Sequence, residues 1–332
     1  FEDKTRNIYR RISSIEQSFE NIVKRNWKLE YAYWINQKDS SYNPVEFKAS
    51  PIKVDKFTKE MFKQKDSVIV TSATLTVNGK FDFLFEQLGV DKKDTISDIV
   101  SAPFDYEEQA RFFVPQDALS GKKASYNPQE YYNYTYEQIK KIANNTQRGI
   151  FALFTSYRAM EEVFEKAQSE LKDLNLFQQG SKNRHKLLQE FINHDNSILF
   201  GTYSFWEGID VKGNDLGYVI IDKIPFEVPT EPLIKARREK FKEEGKNFFR
   251  QYYLPNAIIK LKQGFGRLIR TSEDYGAVML LDNRVNTKRY GKTIKKSLPP
   301  APYTQDFDEI LQLEKSAGGK VISLEDRKMK VG

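Results

Sequence analysis

The sequence predicts an α/β fold built on a doubly wound parallel sheet. Three observations lead there. Beyond Pro103 short apolar runs alternate with amphipathic stretches. Several runs are apolar at consecutive positions, as strands covered on both faces are. Loops rich in small, hydroxyl and acidic residues follow several of them, at the carboxyl ends where such sheets hold ligands.

Taken in order, Ile8, Ile12, Ile15, Phe19 and Val23 recur at spacings of three and four, which predicts one apolar helix face over Asn7 to Val23. Two β-rich pieces follow, Glu30 to Ile35 and Val45 to Phe47, then a helix from Val54 to Phe62. Ser67-Val68-Ile69-Val70 is predicted as a buried strand running into Thr71-Ser72-Ala73-Thr74-Leu75. From Arg111 to Val114 the strand–helix rhythm begins. It continues with a helix over Pro128 to Ala143, the strand Gly149 to Phe154, a helix over Tyr157 to Leu171 and the strand Leu176 to Gln178. A helix over Arg184 to Ile192, the strands Ser197 to Phe200 and Tyr218 to Ile221, helices from Pro232 and Pro255, and the strand Ala277 to Leu281 complete it. The polar stretch Ser120 to Asn127 is expected to be a surface loop. The expected division is residues 1–100, an amino-terminal segment too small to close a sheet, and 101–332, the sheet domain.

Among the 332 residues, 39% are hydrophobic and 14% aromatic, enough to fill the cores of two domains. No cysteine is present, which excludes disulfides, thiolate zinc sites and iron–sulfur clusters within this span. With two histidines, His185 and His194, an imidazole metal centre is not expected either. Lys and Arg number 53 against 46 Asp and Glu, a formal charge of +7, which suits a polyanionic partner and equally a solvated basic surface. No run approaches the roughly 20 apolar residues that span a bilayer, so a soluble, cytoplasmic chain without a membrane partner is expected. Met is missing from the first position and the opening residues fall inside a helical pattern, so the chain reads as a piece of a longer one.

Four segments carry the chemistry, and all four are expected where such a sheet places functional loops, immediately after predicted strands. Thr71, Ser72 and Thr74 end the predicted strand 67–70, and their hydroxyls and amides suit phosphate. Small residues end many strands for packing alone. Thr155 and Ser156 sit where a strand passes into a helix, where an ordinary helix cap accounts for them equally well. Gly201-Thr202-Tyr203-Ser204-Phe205-Trp206-Glu207-Gly208-Ile209-Asp210 follows an apolar strand. Its glycines allow close backbone approach, Thr202 and Ser204 offer hydroxyls, and Asp210 offers a carboxylate to a water or metal. Gln263, Arg267 and Arg270 lie on the helix begun near Pro255, spaced to share a face. Neighbouring guanidiniums repel, a cost that a triphosphate between them offsets, and arginine fingers accelerate phosphoryl transfer roughly 10³- to 10⁵-fold. Pairing with acidic side chains on a solvated face is the ordinary alternative.

Two motif matches fail. Gly264-Phe265-Gly266 lacks the third glycine of a dinucleotide fingerprint, with Ile269 in its place. Asn286 to Thr293 ends Gly291-Lys292-Thr293 but begins with Asn where a phosphate-cradling loop has Gly. The chain holds no Walker A loop.

In sequence order these segments resemble motifs III to VI of superfamily 2 helicases. Glu207-Gly208-Ile209-Asp210, Ile224-Pro225-Phe226 with Pro229 and Pro232, Gln263-Gly264-Phe265-Gly266-Arg267-Leu268-Ile269-Arg270, and Asp282-Asn283-Arg284 before Tyr290-Gly291 are similar to the DinG branch of the XPD-like group. The resemblance covers Ser67 to Lys292. It implies a RecA-like second motor domain preceded by a remnant of the first, acting in DNA repair or replication, with ATP and Mg²⁺ as cofactors and single-stranded DNA as partner. By the same resemblance Arg267, Arg270 and Gln263 meet the ATP phosphates, and Gly208 and Asp210 sense nucleotide state. Thr155, Ser156, Thr202 and Ser204 touch the DNA backbone, while Thr71, Ser72 and Thr74 couple the two sites. The Walker A lysine and metal-binding acidic motif would belong to the missing amino-terminal part of the same polypeptide, so the isolated chain, a monomer, is expected not to hydrolyse ATP. Members from low-GC Gram-positive bacteria resemble fusions with an amino-terminal 3′–5′ exonuclease. The competing expectation is accordingly a single-strand-binding, non-unwinding accessory domain of such an exonuclease.

Overall fold

The computed structural model describes residues 2–23, 30–36, 45–202 and 216–316. By contacts the chain divides into two compact units. One comprises Phe1–Val70, Asp82–Ile96 and Glu227–Tyr253, the other Thr71–Phe81, Ser97–Phe226 and Leu254–Gly332. The stretch Glu227–Tyr253, which the sequence rhythm runs on with the sheet domain, thus groups with amino-terminal residues.

In the first unit, β1 (Tyr31–Asn36) and β2 (Glu46–Pro51) pair antiparallel with Tyr31 opposite Pro51 and Asn36 opposite Glu46. Ile234 and Phe241 of the helix Pro232–Glu243 bury themselves with Tyr252, and Phe83, Phe248 and Tyr253 pack around them. The Phe248 and Tyr252 rings stack with centroids 5.4 Å apart. Arg237 lies over Tyr252 and donates to the Ile52 carbonyl at 2.8 Å, so its apolar stem covers the cluster while its head is satisfied. The helix Glu2–Val23 forms as its periodicity predicts, and Ile8, Ile12, Ile15 and Phe19 on it are exposed.

The expected strand Ser67–Val70 does not form. Residues 67–70 have no regular structure, and Ile69 is 90% exposed. The β-branched run has the composition of a buried strand, but a strand exists only against a neighbour that takes its N–H and C=O groups. Among the described residues no strand pairs with it.

The second unit holds one parallel sheet in the order β5-β6-β4-β7-β8-β3-β9: β3 (Ala110–Phe113), β4 (Gly149–Phe154), β5 (Asn175–Gln178), β6 (Ser197–Thr202), β7 (Leu216–Ile221), β8 (Gly276–Leu280) and β9 (Tyr303–Thr304). Every residue of β4, β6, β7 and β8 is buried, which accounts for their unbroken apolar runs. The helices Pro128–Ala143 and Tyr157–Glu170 cover the sheet with Tyr131, Tyr136, Ile139, Ile142, Met160 and Val163. Asn127 caps the first by accepting from the Glu130 amide at 3.4 Å, with Pro128 in its first turn. Where β8 begins, Gly276 has φ +150°, and a Cβ there would run into the Gly217 carbonyl.

The connection leaving β4 runs toward β5, whereas that leaving β7 runs the opposite way toward β8. These neighbours therefore form a topological switch point, whose crevice opens at their carboxyl ends. Among the elements that escaped the sequence reading are the two-residue edge strand β9 and the helices Asp82–Leu88 and Phe307–Ser316. The stretch Ser120 to Asn127, expected to be a loop, contains the helical turn Lys123–Tyr126 and a buried Gly121.

Candidate functional site

At the switch point Thr155, the first residue after β4, meets Asp222, the first after β7. The Thr155 amide donates to Asp222 Oδ1 at 3.1 Å and its hydroxyl to Oδ2 at 3.2 Å, while the Lys223 amide donates to Oδ1 at 2.8 Å. Asp222 is 1% exposed. Burial raises its pKa, against which the Lys223 charge and the accepted hydrogen bonds act. Tyr131 donates its hydroxyl to the Asp222 carbonyl, and burial, then the Asp222 and Asp282 charges, push its phenol well above the ordinary range.

One strand over, Asp282 follows β8 and is wholly buried. It accepts from the amides of Gly121 (3.1 Å), Ile224 (3.0 Å) and Arg284 (3.1 Å), and from the Arg284 guanidinium at 2.6 Å. One carboxylate thus ties together the loops after β3, β7 and β8. Burial works against the Arg284 charge, and the bonds and charge of Asp282 more than offset it, holding its pKa above the usual value. A Cβ on Gly121 would lie 2.5 Å from Arg284 Nη2 and from Asp282 Oδ2, so only glycine lets this loop approach.

Ser156 caps the helix Tyr157–Glu170 by accepting from the Ala159 amide at 3.3 Å, and its side chain is exposed. Thr202 ends β6 and is buried. Its amide and hydroxyl both donate to Gln179 Oε1, at 2.6 and 3.0 Å. Ser204, Gly208 and Asp210 lie outside the described residues.

The arginine segment lies at the opposite edge of the sheet. The helix Leu254–Leu268 packs on β7 and β8 and ends before β8 begins. Gln109, directly before β3, donates to the carbonyls of Thr271 (2.9 Å) and Asp274 (2.7 Å) and accepts from the Asp105 amide at 2.9 Å. Arg148, directly before β4, donates to the carbonyls of Tyr275 (2.6 Å) and Leu216 (2.9 Å). Residues 271–275 therefore sit at the amino ends of β3, β4, β7 and β8, not after a strand as the sequence reading placed this segment.

Two further details depart from the spacing argument. Gln263 and Arg267 share the helix, but Arg270 lies beyond its last residue. Asp274 Oδ2 accepts from the Arg270 amide at 2.7 Å and the Thr271 amide at 2.8 Å, taking donors that a continuing helix would use on its own carbonyls. Both arginines and Gln263 are half-buried, and all three interact with other groups of the chain. Burial lowers the Arg270 pKa, with the Asp274 charge opposing. Replacing Gln109 with alanine leaves two carbonyls without their donor, at about 1–3 kcal/mol each. Amide hydrogen exchange at Arg270 and Thr271 then accelerates; unchanged exchange would show that Gln109 does not restrain this turn.

The Thr71–Phe81 segment belongs to the same unit. Ser72 and Thr74 bond each other, hydroxyl to hydroxyl at 3.3 Å, and Thr71 is exposed. Lys262, next to Gln263, donates to the Thr76 carbonyl at 2.7 Å, and the Asn78 amide donates to Ser297 Oγ at 2.9 Å. This holds Thr76, two residues after Thr74, against the helix that carries Gln263 and Arg267. Burial lowers the Lys262 pKa.

The sequence reading missed Asp222, Gln179, Asp274, Gln109 and Lys262, and quoted Asp282 without assigning it a role. Asp222 and Asp282 had a signal, since each is a lone acid directly ending an apolar strand run. The others had none. Among the described residues no group of His, Cys, Asp and Glu could hold a metal ion, and no helix is long and apolar enough to cross a membrane.

Residues 139–301 match the helicase C-terminal domain family. The chain is 35% identical over 307 residues to the ATP-dependent DNA helicase YoaA of Haemophilus influenzae, covering 92% of this chain and 46% of that protein. It is 32% identical over 287 residues to the 3′–5′ exonuclease DinG of Bacillus subtilis, covering 85% and 31%. The chain thus spans less than half the length of these relatives. A solved XPD helicase superimposes with a TM-score of 0.59 at 16% identity over 78% of this chain and 47% of its own, a likeness of fold. With the parallel sheet, the family match and the breadth of the likeness to YoaA and DinG together, residues 139–301 are a helicase C-terminal domain, and the chain is similar over most of its length to the DinG-type helicases.

Proposed function

We propose that this chain is the second, RecA-like motor domain of an ATP-dependent DNA helicase or translocase, preceded by a remnant of the first. In this reading two sets of residues divide the work. The carboxyl edge, with Thr155, Ser156, Thr202 and Ser204, follows the backbone of single-stranded DNA. Gln263, Arg267 and Arg270, with Gly208 and Asp210, address a nucleotide held by the part of the relatives that this chain does not span. Thr71, Ser72 and Thr74 couple the two. The observation that carries the reading is the clamp of Asp274 and Gln109 on the turn after Arg267, which fixes the Arg270 main chain before any ligand arrives.

The described residues fit the phosphate half of a nucleotide site. Two half-buried guanidiniums lie near a chain turn fixed by buried groups, where a triphosphate would supply the transferable phosphoryl group and the compensating charge. They do not fit an Mg²⁺ site. Arg267 and Arg270 would neutralise charge that builds on the phosphoryl oxygens, and the chain alone would not turn over ATP. At the carboxyl edge the Thr155 hydroxyl and both Thr202 donors are already engaged, so among the described candidates Ser156 is the one whose hydroxyl hydrogen can go to a phosphate, while Thr155 and Thr202 shape the track.

Titrating the 332-residue chain with fluorescent oligo(dT) across salt concentrations tests the reading. Binding should be indifferent to sequence, with log K falling against log salt by roughly 0.7 per phosphate neutralised. Absence of binding, or binding insensitive to salt, contradicts it. A second reading is favoured by the exonuclease name of the Bacillus subtilis relative: a single-strand-binding, non-unwinding accessory domain. Strand displacement by the longer polypeptide separates the two, because only the motor unwinds.

A further inference from the structure

Tyr157 is an exposed aromatic ring held by its polar end. The side chain is 54% exposed, yet its hydroxyl accepts a hydrogen bond from Gln179 Nε2 at 2.8 Å. Gln179 is itself fixed twice. Its amide N–H extends the β5–β6 ladder by donating to the Phe200 carbonyl at 2.9 Å, and its Oε1 takes both the amide (2.6 Å) and the hydroxyl (3.0 Å) of Thr202. The amide side chain of Gln179 therefore spans from the end of β6 to the first residue of the helix after β4, and the tyrosine ring stands at that junction, beside the exposed Ser156. A surface tyrosine normally samples several rotamers, and ordering it on binding costs side-chain entropy. Here that ordering is done in advance, and the ring face stays open.

We infer that Tyr157 is a stacking platform for a nucleobase of the bound strand and that Gln179 is its positioning residue. The inference rests on the single-strand reading above and deepens it. Phosphate contacts alone hold a strand by its charge, whereas a pinned ring between two hydroxyl-bearing strand ends grips a base without reading its identity, because every base has a π face. Tyr157 contributes the ring. Gln179 sets its orientation and, through Thr202, links that orientation to the end of β6. A strand leaving or entering the crevice is then held at a fixed base position.

The test compares oligo(dT) with an oligomer of the same length in which one or two central residues are abasic, so that phosphates remain and bases are removed. The full chain should bind the abasic oligomer roughly tenfold more weakly. Tyr157→Ala should lose about the same factor on oligo(dT) and nothing further on the abasic oligomer, with the salt slope unchanged. Tyr157→Trp, which keeps a stacking face, should restore the discrimination and guards against a folding artefact. Gln179→Ala should lower the ratio of the two affinities while leaving abasic binding intact, which a purely structural role would not do. Equal binding of oligo(dT) by Tyr157→Ala and the unaltered chain, or an equal loss on both oligomers, overturns the inference and leaves the single-strand reading standing. Binding of neither oligomer by the unaltered chain overturns both.

Discussion

Replacing Arg267 with alanine lowers DNA-stimulated ATP hydrolysis by roughly 10³- to 10⁵-fold in a polypeptide that joins this chain to the half of its relatives it does not span. The expectation follows from chemistry and placement. Phosphoryl transfer leaves little covalent work for the protein, so its rate depends on charge positioned beforehand around the transferring group. Arg267 lies in the last turn of a helix packed on the sheet, and the turn that follows is fixed by Asp274 and Gln109. Lysine in its place should recover little, because a point charge does not reproduce a planar fork of donors. Arg267 is half-buried, so the alanine variant should be checked for an unchanged melting profile before its turnover is measured. Hydrolysis at the unaltered rate would remove Arg267 from the nucleotide site.

The largest effect on stability is expected at Asp282. Its carboxylate is wholly buried and receives three main-chain amides and the Arg284 guanidinium, whose side chain is 11% exposed. Asp282→Ala leaves a buried cation and three main-chain amides without their acceptor. Removing one partner of a buried pair costs about 3–5 kcal/mol. For a domain of this size each kcal/mol corresponds to about 2–4 °C in Tm, so a fall of about 10 °C is expected by calorimetry. The loops after β3, β7 and β8 should loosen together, since one carboxylate holds all three. A shift within about 2 °C would mean that water replaces these bonds at little cost.

What the sequence could reveal follows from where the information resides. Strands β4, β6 and β7 were legible because burial on both faces requires apolar side chains at consecutive positions, and runs such as Ile150 to Phe154 or Ile198 to Phe200 suit little else at that length. The helix Pro128–Ala143 was expected over those residues, and the structure shows why it starts there: Asn127 caps it and Pro128 opens its first turn. Ser67 to Val70 misled for the same reason that the others succeeded. Composition reports that a strand is wanted, while pairing depends on a neighbour that need not lie in the same stretch of chain. The edge strand β9 is too short to leave a pattern.

At the site, motif order singled out Thr155, Ser156 and the Gln263–Arg270 segment as candidates, and spacing overreached on Arg270. Helical periodicity assumes that the helix continues, and a single downstream carboxylate, Asp274, ends it by capturing the amides of Arg270 and Thr271. Gln179 illustrates the remaining blind spot. Its role comes from contacts with Tyr157, 22 residues away, and Thr202, 23 residues away, and nothing in its local sequence announces them.

The most direct test of the motor-domain account is ATP turnover by the 332-residue chain alone and by the same chain joined to the part of its relatives that it does not span, each with and without single-stranded DNA. The account predicts no hydrolysis by the isolated chain and DNA-stimulated hydrolysis by the joined protein. Turnover by the isolated chain at the joined rate, or no stimulation by DNA once joined, would contradict it.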